Sequence, residues 1–403
     1  MDNTQKTSSF SQGLLWFGAA VSIAEILTGA LLAPLGFWNG LLAILTGHII
    51  GCAILYFTGL IGARSELSAI ESTRISFGKY GSYFFSILNV IQLLGWTAVM
   101  VASGAQAFDA VTSSAMNYKN QALWCVVIGI FILIWIAIGI KNLSRLNIVV
   151  MALLFICSIV LGVIVFRGIA GASAPTAETL TFGAAVELSV TMPLSWLPLV
   201  SDYTRTVKHP KAGSAASAAG YFIGSCMMYV IGLAAAIRTG TSDISAILVS
   251  AGLGAVALFI VIFSTVTTTF LDAYSGGVSI VNLNHKINEK HAALGVCIAG
   301  TILAIFVSMD QYVNFLYFIG SVFAPLFAVL ITEYFILHIT QERKGRLFNV
   351  TNLAIWAIGF TGYHILLNCN SPVGTTLPVI IFVGILCVAV HKIRNAVYPI
   401  SNK

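Results

Sequence analysis

Between Phe263 and Gly277 the chain reads FSTVTTTFLDAYSGG. Hydroxyls stand at Ser264, Thr265, Thr267, Thr268 and Thr269, and the adjacent pair Thr267 and Thr268 suits a hard monovalent cation, which takes oxygen ligands and little charge. The carboxylate of Asp272 suits a ligand that presents an amine beside a ring nitrogen, through charge-assisted or shared-proton bonds. At 100° per residue, Ser264, Thr265, Thr268, Thr269, Asp272 and Ser275 share one arc, with Val266, Phe270 and Ala273 opposite. Hydroxyls in apolar helices also bond their own i−4 carbonyls, but that habit does not explain a carboxylate on the same face. The pattern predicts a lined cavity. A second carboxylate, Glu25, stands midway in WFGAAVSIAEILTGALLAPLGF. It can touch a ligand, carry a proton, or cap the ends of an interrupted helix near its favourable dipole. Gln92 and Trp96, one helical turn apart, offer an amide beside an aromatic platform.

These residues must be held by helices in a bilayer. Of 403 residues, 58% are hydrophobic and only 8% charged, whereas soluble domains carry about 25% charged residues. Apolar runs of about 20 residues, the length of a membrane span, recur throughout. Twelve are expected: 13–35, 39–62, 81–107, 121–140, 148–170, 183–204, 213–237, 246–274, 292–309, 313–338, 350–367 and 375–391. Hydrophobicity without alternation excludes a β-barrel. The loops of one face hold seventeen of the twenty Lys and Arg, leaving Lys119, Arg167 and Arg238 opposite. By the positive-inside rule both termini are expected in the cytoplasm. The net charge of +6 then reflects topology and anionic lipid and gives no warrant for nucleic acid. Seven dispersed cysteines and scattered histidines form no ligand spacing, so no resident metal or other cofactor is expected. Nor does any nucleophile–base pair appear, and an enzyme is not expected.

Two spans carry marks of interruption. Span 1 is rich in Gly, Ala and Ser around Glu25. Span 6, in ELSVTMPLSWLPLVSDYTR, holds Pro193 and Pro198, each of which removes a backbone donor. The two spans lie five apart, and a five-helix repeat displaced by an odd number of crossings is inverted. Paired broken helices in inverted halves point to a transporter's midplane site. Asp202 and Arg205 at the end of span 6 are expected to form a structural pair or gate latch.

The sequence resembles the nucleobase–cation symporter-1 family over nearly its whole length. The likeness runs from SQGLLWFGAAVS through IGARSELSAIESTRISFGKYGS and LLGWTAVM to PLVSDYTR, STVTTTFLDAYSGG and ITEYFIL. Within the family it is most similar to the branch of hydroxymethylpyrimidine transporters, with cytosine permease more distant. The resemblance implies one all-α membrane domain over 1–403 with a LeuT-like core: inverted repeats 13–170 and 183–338, and extra helices at 350–391. It implies sodium as coupling ion, held by carbonyls near Gly18 and Val21 and by Ser264, Thr267 and Thr268. It also implies that Trp96 stacks a flat heterocycle. Where the family often breaks span 6 at a small residue and an aromatic, this chain has Met192-Pro193, and Trp196 is expected to supply the second stacking face. Relatives use an amide in span 8 near the substrate; Thr269 and Asp272 stand in its place.

The expected activity is sodium-coupled import of a pyrimidine-type heterocycle, hydroxymethylpyrimidine or a related thiamine precursor, across a bacterial inner membrane by alternating access. Beyond that substrate and the bilayer, no partner is implied. A proton-coupled cytosine or purine permease is the nearest alternative. An amino-acid symporter of the same architecture is the next.

Overall fold

The computed structural model describes residues 6–167, 180–242, 255–342, 345–369 and 371–397. Among these no strand occurs, only an isolated bridge between Thr7 and Val207. Among the described residues nine helical stretches are long and apolar enough to cross a membrane. One of them, Ile23–Ser65, passes through a 3-10 turn at Ala33–Leu35 and Gly36 at φ 73°, and so contains parts of two expected spans. The start of expected span 8 (246–254) and the end of span 5 lie outside the described residues, as do Arg343, Lys344 and Lys403.

Span 1 is two helices, α1 (Ser9–Ala20) and α2 (Ile23–Ala30). The chain leaves helical geometry at Val21 and Ser22, and the Ser22 hydroxyl accepts from the backbone N–H of Glu25 at 3.4 Å. Ser22 is thus the N-cap of α2, while its own N–H bonds the Ala20 carbonyl at 2.9 Å and the Glu25 side chain turns elsewhere. A two-residue break inside an apolar run leaves backbone carbonyls without helical partners, and these are available to a ligand.

Helix α3 (Gly36–Ser65) packs along span 6, which is α7 (Phe182–Ser195) and α8 (Leu197–Thr204). Glycines allow the approach: a Cβ on Gly47 would stand 2.4 Å from the Ser189 Cβ, and one on Gly51 2.3 Å from the Pro193 ring. Small residues at such contacts are how apolar helices pack tightly where lipid gives no hydrophobic drive. The interruption in span 6 falls on Trp196, between the two prolines, and Pro193 lies inside α7. The expectation of a break at Met192-Pro193 is corrected by one turn. Proline removes its own N–H, so the bond lost at Pro198 falls on the preceding turn.

Two groups of helices face each other across these breaks. One comprises α1, α2, α3, α7, α8 and α9 (Pro210–Thr239). In the other, α4 (Arg74–Met116) packs on α10 (Ala255–Leu283) and α11 (Glu289–Phe306), with α5 (Gln121–Ile138) outside. Helix α6 (Ile140–Arg167) follows α5 after Gly139 at φ 83°, so the expected loop 141–147 is helical. Spans 3 and 8 also run further than expected, to Met116 and Leu283. Their extra turns carry polar residues that tertiary partners satisfy, as where Asn282 donates to Ser82 and Ser86 at 3.0 and 2.9 Å.

Helices α12 (Tyr312–Ile331), α13 (Val350–Leu367) and α14 (Thr376–Val397) close the fold. The N-terminal segment, the turn after α3, the turn after α8 and the approach to α13 meet at one end. There Thr7 pairs with residues 206–208, and Asn349 donates to the Ser76 carbonyl. This shared end matches the alternation of basic loops.

Candidate functional site

A small cavity of about 10 Å³ lies where the two broken spans meet α4 and α10. Ser22, Ala24 and Glu25 line it from span 1, Trp96 and Met100 from α4. Met192, Ser195 and Trp196 come from span 6, Thr268 and Asp272 from α10. That volume holds a single water, so a ring-sized ligand requires the two helix groups to part.

Six of the ten lining residues are ones the sequence singled out: Glu25, Trp96, Met192, Trp196, Thr268 and Asp272. Asp272 is 3% exposed, and neither of its oxygens has a hydrogen-bond partner among the described residues. The Trp96 indole N–H is likewise unpartnered. The Trp96 ring is held edgewise by Tyr312 and Phe315, at centroid distances of 6.2 and 5.4 Å. An acceptor and a donor without partners thus belong to two residues that line the same cavity.

Other candidates stand elsewhere. Gln92 is fully buried, and its amide donates to the Ser195 carbonyl at 2.9 Å. It fastens α4 to the span 6 break and does not line the cavity. Pro193 packs on Gly51 of α3. Thr269 is buried with its hydroxyl unpartnered, outside the lining. Thr265 faces Gly104 of α4, so only two members of the polar arc, Thr268 and Asp272, reach the cavity. The rest of the arc is buried against helices, which an angular projection of one helix cannot foresee.

The residues considered for a cation sit at the contact of α10 with the end of α1. Thr268 Oγ1 donates to the Ala19 carbonyl at 3.4 Å. Thr267 Oγ1 donates to Phe263 O at 2.7 Å and Ser264 O at 3.2 Å. Donation leaves hydroxyl lone pairs available, so both threonines can still ligate a cation. The Gly18 carbonyl accepts from the Val21 N–H at 3.2 Å, which fixes the loop carrying both residues. Ser264 is buried one turn before Thr268.

Glu25 is 1% exposed, yet its oxygens are fully engaged. Tyr221 of α9 donates to Oε1 at 2.6 Å and Ser225 to Oε2 at 2.7 Å. Tyr221 in turn accepts from the Trp196 indole N–H at 3.0 Å. Ser225 Oγ also lies 2.5 Å from Nε2 of His48. His48 and Ser225 were not singled out from the sequence, because a lone histidine and a lone serine in apolar helices carry no spacing signal.

Two further polar clusters are absent from the cavity lining. Among the described ion pairs none joins Asp202 to Arg205; Asp202 instead accepts from the Ala69 N–H at 2.8 Å, at the start of a one-turn helix. Glu333, Cys387 and His391 are compact enough to hold an ion, but His391 Nε2 lies 3.0 Å from Glu333 Oε1, which also accepts from Asn352.

Comparison with known proteins bears on this geometry. A family described as "Permease for cytosine/purines, uracil, thiamine, allantoin" matches residues 2–351. Cytosine permease of Escherichia coli (strain K12) is 27% identical over 352 residues, covering 86% of this chain and 81% of that protein. Among solved structures, Mhp1, a nucleobase-cation-symport-1 family transporter in a closed conformation with bromovinylhydantoin bound, superposes with a TM-score of 0.80. That likeness covers 99% of this chain and 95% of the other at 17% identity. A Na+-coupled sialic acid symporter in an outward-open state gives 0.69 at 13% identity, covering 97% and 90%.

Proposed function

The chain belongs to the family of permeases for cytosine and purines, uracil, thiamine and allantoin, and from that premise we propose that it is a cation-coupled symporter importing a pyrimidine-type heterocycle. It is a multi-pass membrane transporter with a LeuT-like all-α fold, not an enzyme. The observation that carries the substrate reading is the unpartnered Asp272 carboxylate in a cavity lined by Trp96 and Trp196. A buried carboxyl without a donor is costly in a membrane interior. A ring with an exocyclic amine beside a ring nitrogen would supply that donor, and the Trp96 N–H would meet an acceptor on the ligand. The tryptophans would hold its faces. Hydroxymethylpyrimidine and related thiamine precursors have this aminopyrimidine edge, as cytosine does.

Sodium is the coupling ion we favour, with both termini in the cytoplasm of a bacterial cell. Ser264, Thr267 and Thr268 would hold it with the Gly18 and Val21 carbonyls, joining span 1 to α10 on the edge of the cavity. Bound sodium would draw α1 and α2 toward α10, and the heterocycle would then bridge α10, α4 and span 6. A cation shifts a conformational equilibrium only by its differential affinity for the two states. Sodium should therefore raise heterocycle affinity, and heterocycle should raise sodium affinity by the same factor. Thermal-shift measurement on the purified protein with aminopyrimidines, cytosine and amino acids, each with and without sodium, tests this. Stabilisation by an aminopyrimidine that grows with sodium is expected. Stabilisation by amino acids alone would overturn the substrate class.

A further inference from the structure

Hydrogen positions around Glu25 can be counted. His48 Nδ1 lies 2.8 Å from the Ile44 carbonyl. A carbonyl only accepts, so Nδ1 carries a hydrogen. That leaves two contacts in series: His48 Nε2 to Ser225 Oγ at 2.5 Å, and Ser225 Oγ to Glu25 Oε2 at 2.7 Å. Each needs one hydrogen between its heavy atoms, and Ser225 brings only one. The second must sit on His48 Nε2 or on Glu25. In the first placement His48 is a cation donating to Ser225, which donates to the Glu25 carboxylate. In the second the Glu25 carboxyl donates to Ser225, which donates to neutral His48. The two differ by a concerted shift of two hydrogens along the same three atoms, and both satisfy every contact. Without the second hydrogen, one contact becomes lone pair against lone pair at hydrogen-bond distance.

The surroundings offer no other counter-charge. No Lys or Arg side chain is among the buried residues described. The titratable groups facing the trio are Cys52 of α3 and Cys226, Tyr221 and Tyr229 of α9. Tyr312 of α12 approaches through Thr28, and Asp272 of α10 lies across the cavity. Each of these is neutral or negative, so the second hydrogen is the local source of charge balance.

We propose that Glu25, Ser225 and His48 form a proton-binding site that holds one exchangeable proton, linked to the cavity through Tyr221 and Trp196. The link is direct: Glu25 itself lines the cavity, and Tyr221 bonds both Glu25 Oε1 and the indole of Trp196. Loss of the proton breaks one of the two contacts and displaces Ser225 or Glu25, and with it the wall against which a ligand stacks. The proton is then a second coupled cation, distinct in place from the sodium considered at α10. This linkage rests on the heterocycle reading above; the proton site itself does not.

Two measurements on the full-length purified protein separate them. Infrared difference spectra between acid and alkaline samples, without any substrate, should show the proton either as a carboxyl band that Glu25→Gln removes or as an imidazolium band that His48→Gln removes. Ser225→Ala should move the titration midpoint of that band by at least about one pH unit, a tenfold change in proton affinity. Absence of both bands, or a midpoint that Ser225→Ala leaves unchanged, overturns the site. Calorimetry of cytosine binding in buffers of different ionisation enthalpy reads the linkage. The wild type should exchange up to one proton, with affinity changing by up to about tenfold per pH unit, and Ser225→Ala should exchange close to none. Equal proton exchange in wild type and Ser225→Ala overturns the linkage. Failure of cytosine and aminopyrimidines to bind at any pH sinks the heterocycle reading and with it the linkage, and leaves the infrared result to decide the site.

Discussion

The two broken spans each bury a glutamate, and the two are held in opposite ways. Glu187, in α7, accepts from the Tyr363 hydroxyl at 2.5 Å, the Thr376 hydroxyl at 2.6 Å, and the backbone N–H groups of Thr375 and Thr376 at 2.6 and 2.8 Å. Two of its donors are the first amides of α14. Amide hydrogens cannot turn round, and a helix N-terminus favours negative charge, so Glu187 Oε2 is held as an acceptor that ties α14 to span 6. Glu25 is held only by hydroxyls, from Tyr221 and Ser225, with an imidazole behind one of them. A hydroxyl donates or accepts as its neighbours require. Similar burial of the same residue type thus makes a fastening in one broken span and a protonatable group in the other. What decides between them is whether the donors can reverse.

Substitutions can break that contrast. The largest effect is expected for Glu187→Ala, which strands four donors in the protein interior and should lower stability by at least about 3 kcal/mol, an unsatisfied buried donor costing about 1–3 kcal/mol. Thermal unfolding in detergent reads it, and a melting temperature equal to wild type would refute the fastening role. Asp272→Asn should come next, weakening aminopyrimidine binding by about 1.5–3 kcal/mol, the range for a hydrogen bond to a charged group. Stability should hold, because Asp272 has no partner to lose; a destabilised Asn variant would mean an unseen partner. Trp96→Ala is expected to lose about 1–3 kcal/mol of heterocycle affinity, as for aromatic stacking on a base, with Trp96→Phe recovering part of it in a competition assay.

Finer comparisons sharpen the contrast. Glu25→Gln should change stability by less than about 1 kcal/mol, because an amide can meet both Tyr221 and Ser225. Glu187→Gln should cost more than Glu25→Gln, since its NH2 must stand either against two donating amides or against two hydroxyls whose hydrogens must both turn away. Equal melting temperatures for the two would erase the distinction. Thr268→Ala should remove about 1 kcal/mol of the sodium-dependent part of heterocycle affinity, seen as a smaller sodium effect in the thermal shift.

The chain's own order of residues made much of the site legible. Glu25 and Asp272 stand out because a carboxylate inside an apolar run demands an explanation. Span 1 was legible as rich in Gly, Ala and Ser, and the structure makes one of those serines, Ser22, the N-cap of α2 in mid-span. The prolines of span 6 marked a break, and the structure moved it to Trp196. Glu187 passed as an ordinary residue near a span end, because its donors come from a helix almost 190 positions later. Gln92 was legible as buried and polar but not as a fastening, since its acceptor is a main-chain carbonyl freed only once span 6 is interrupted.

Composition, charge asymmetry and periodicity alone determined a polytopic helical protein, the approximate place of most helices, the two interrupted spans and a polar face on α10. Those properties follow from transfer free energies and helical repeat, which act locally along the chain. Tertiary structure alone decided which members of that face reach the cavity, that Thr268 meets the end of α1, and that Glu25 shares a serine with His48. Hydrogen bonds act over about 3 Å, and residues some 180 to 250 positions apart come that close only when α2, α3, α9 and α10 have packed.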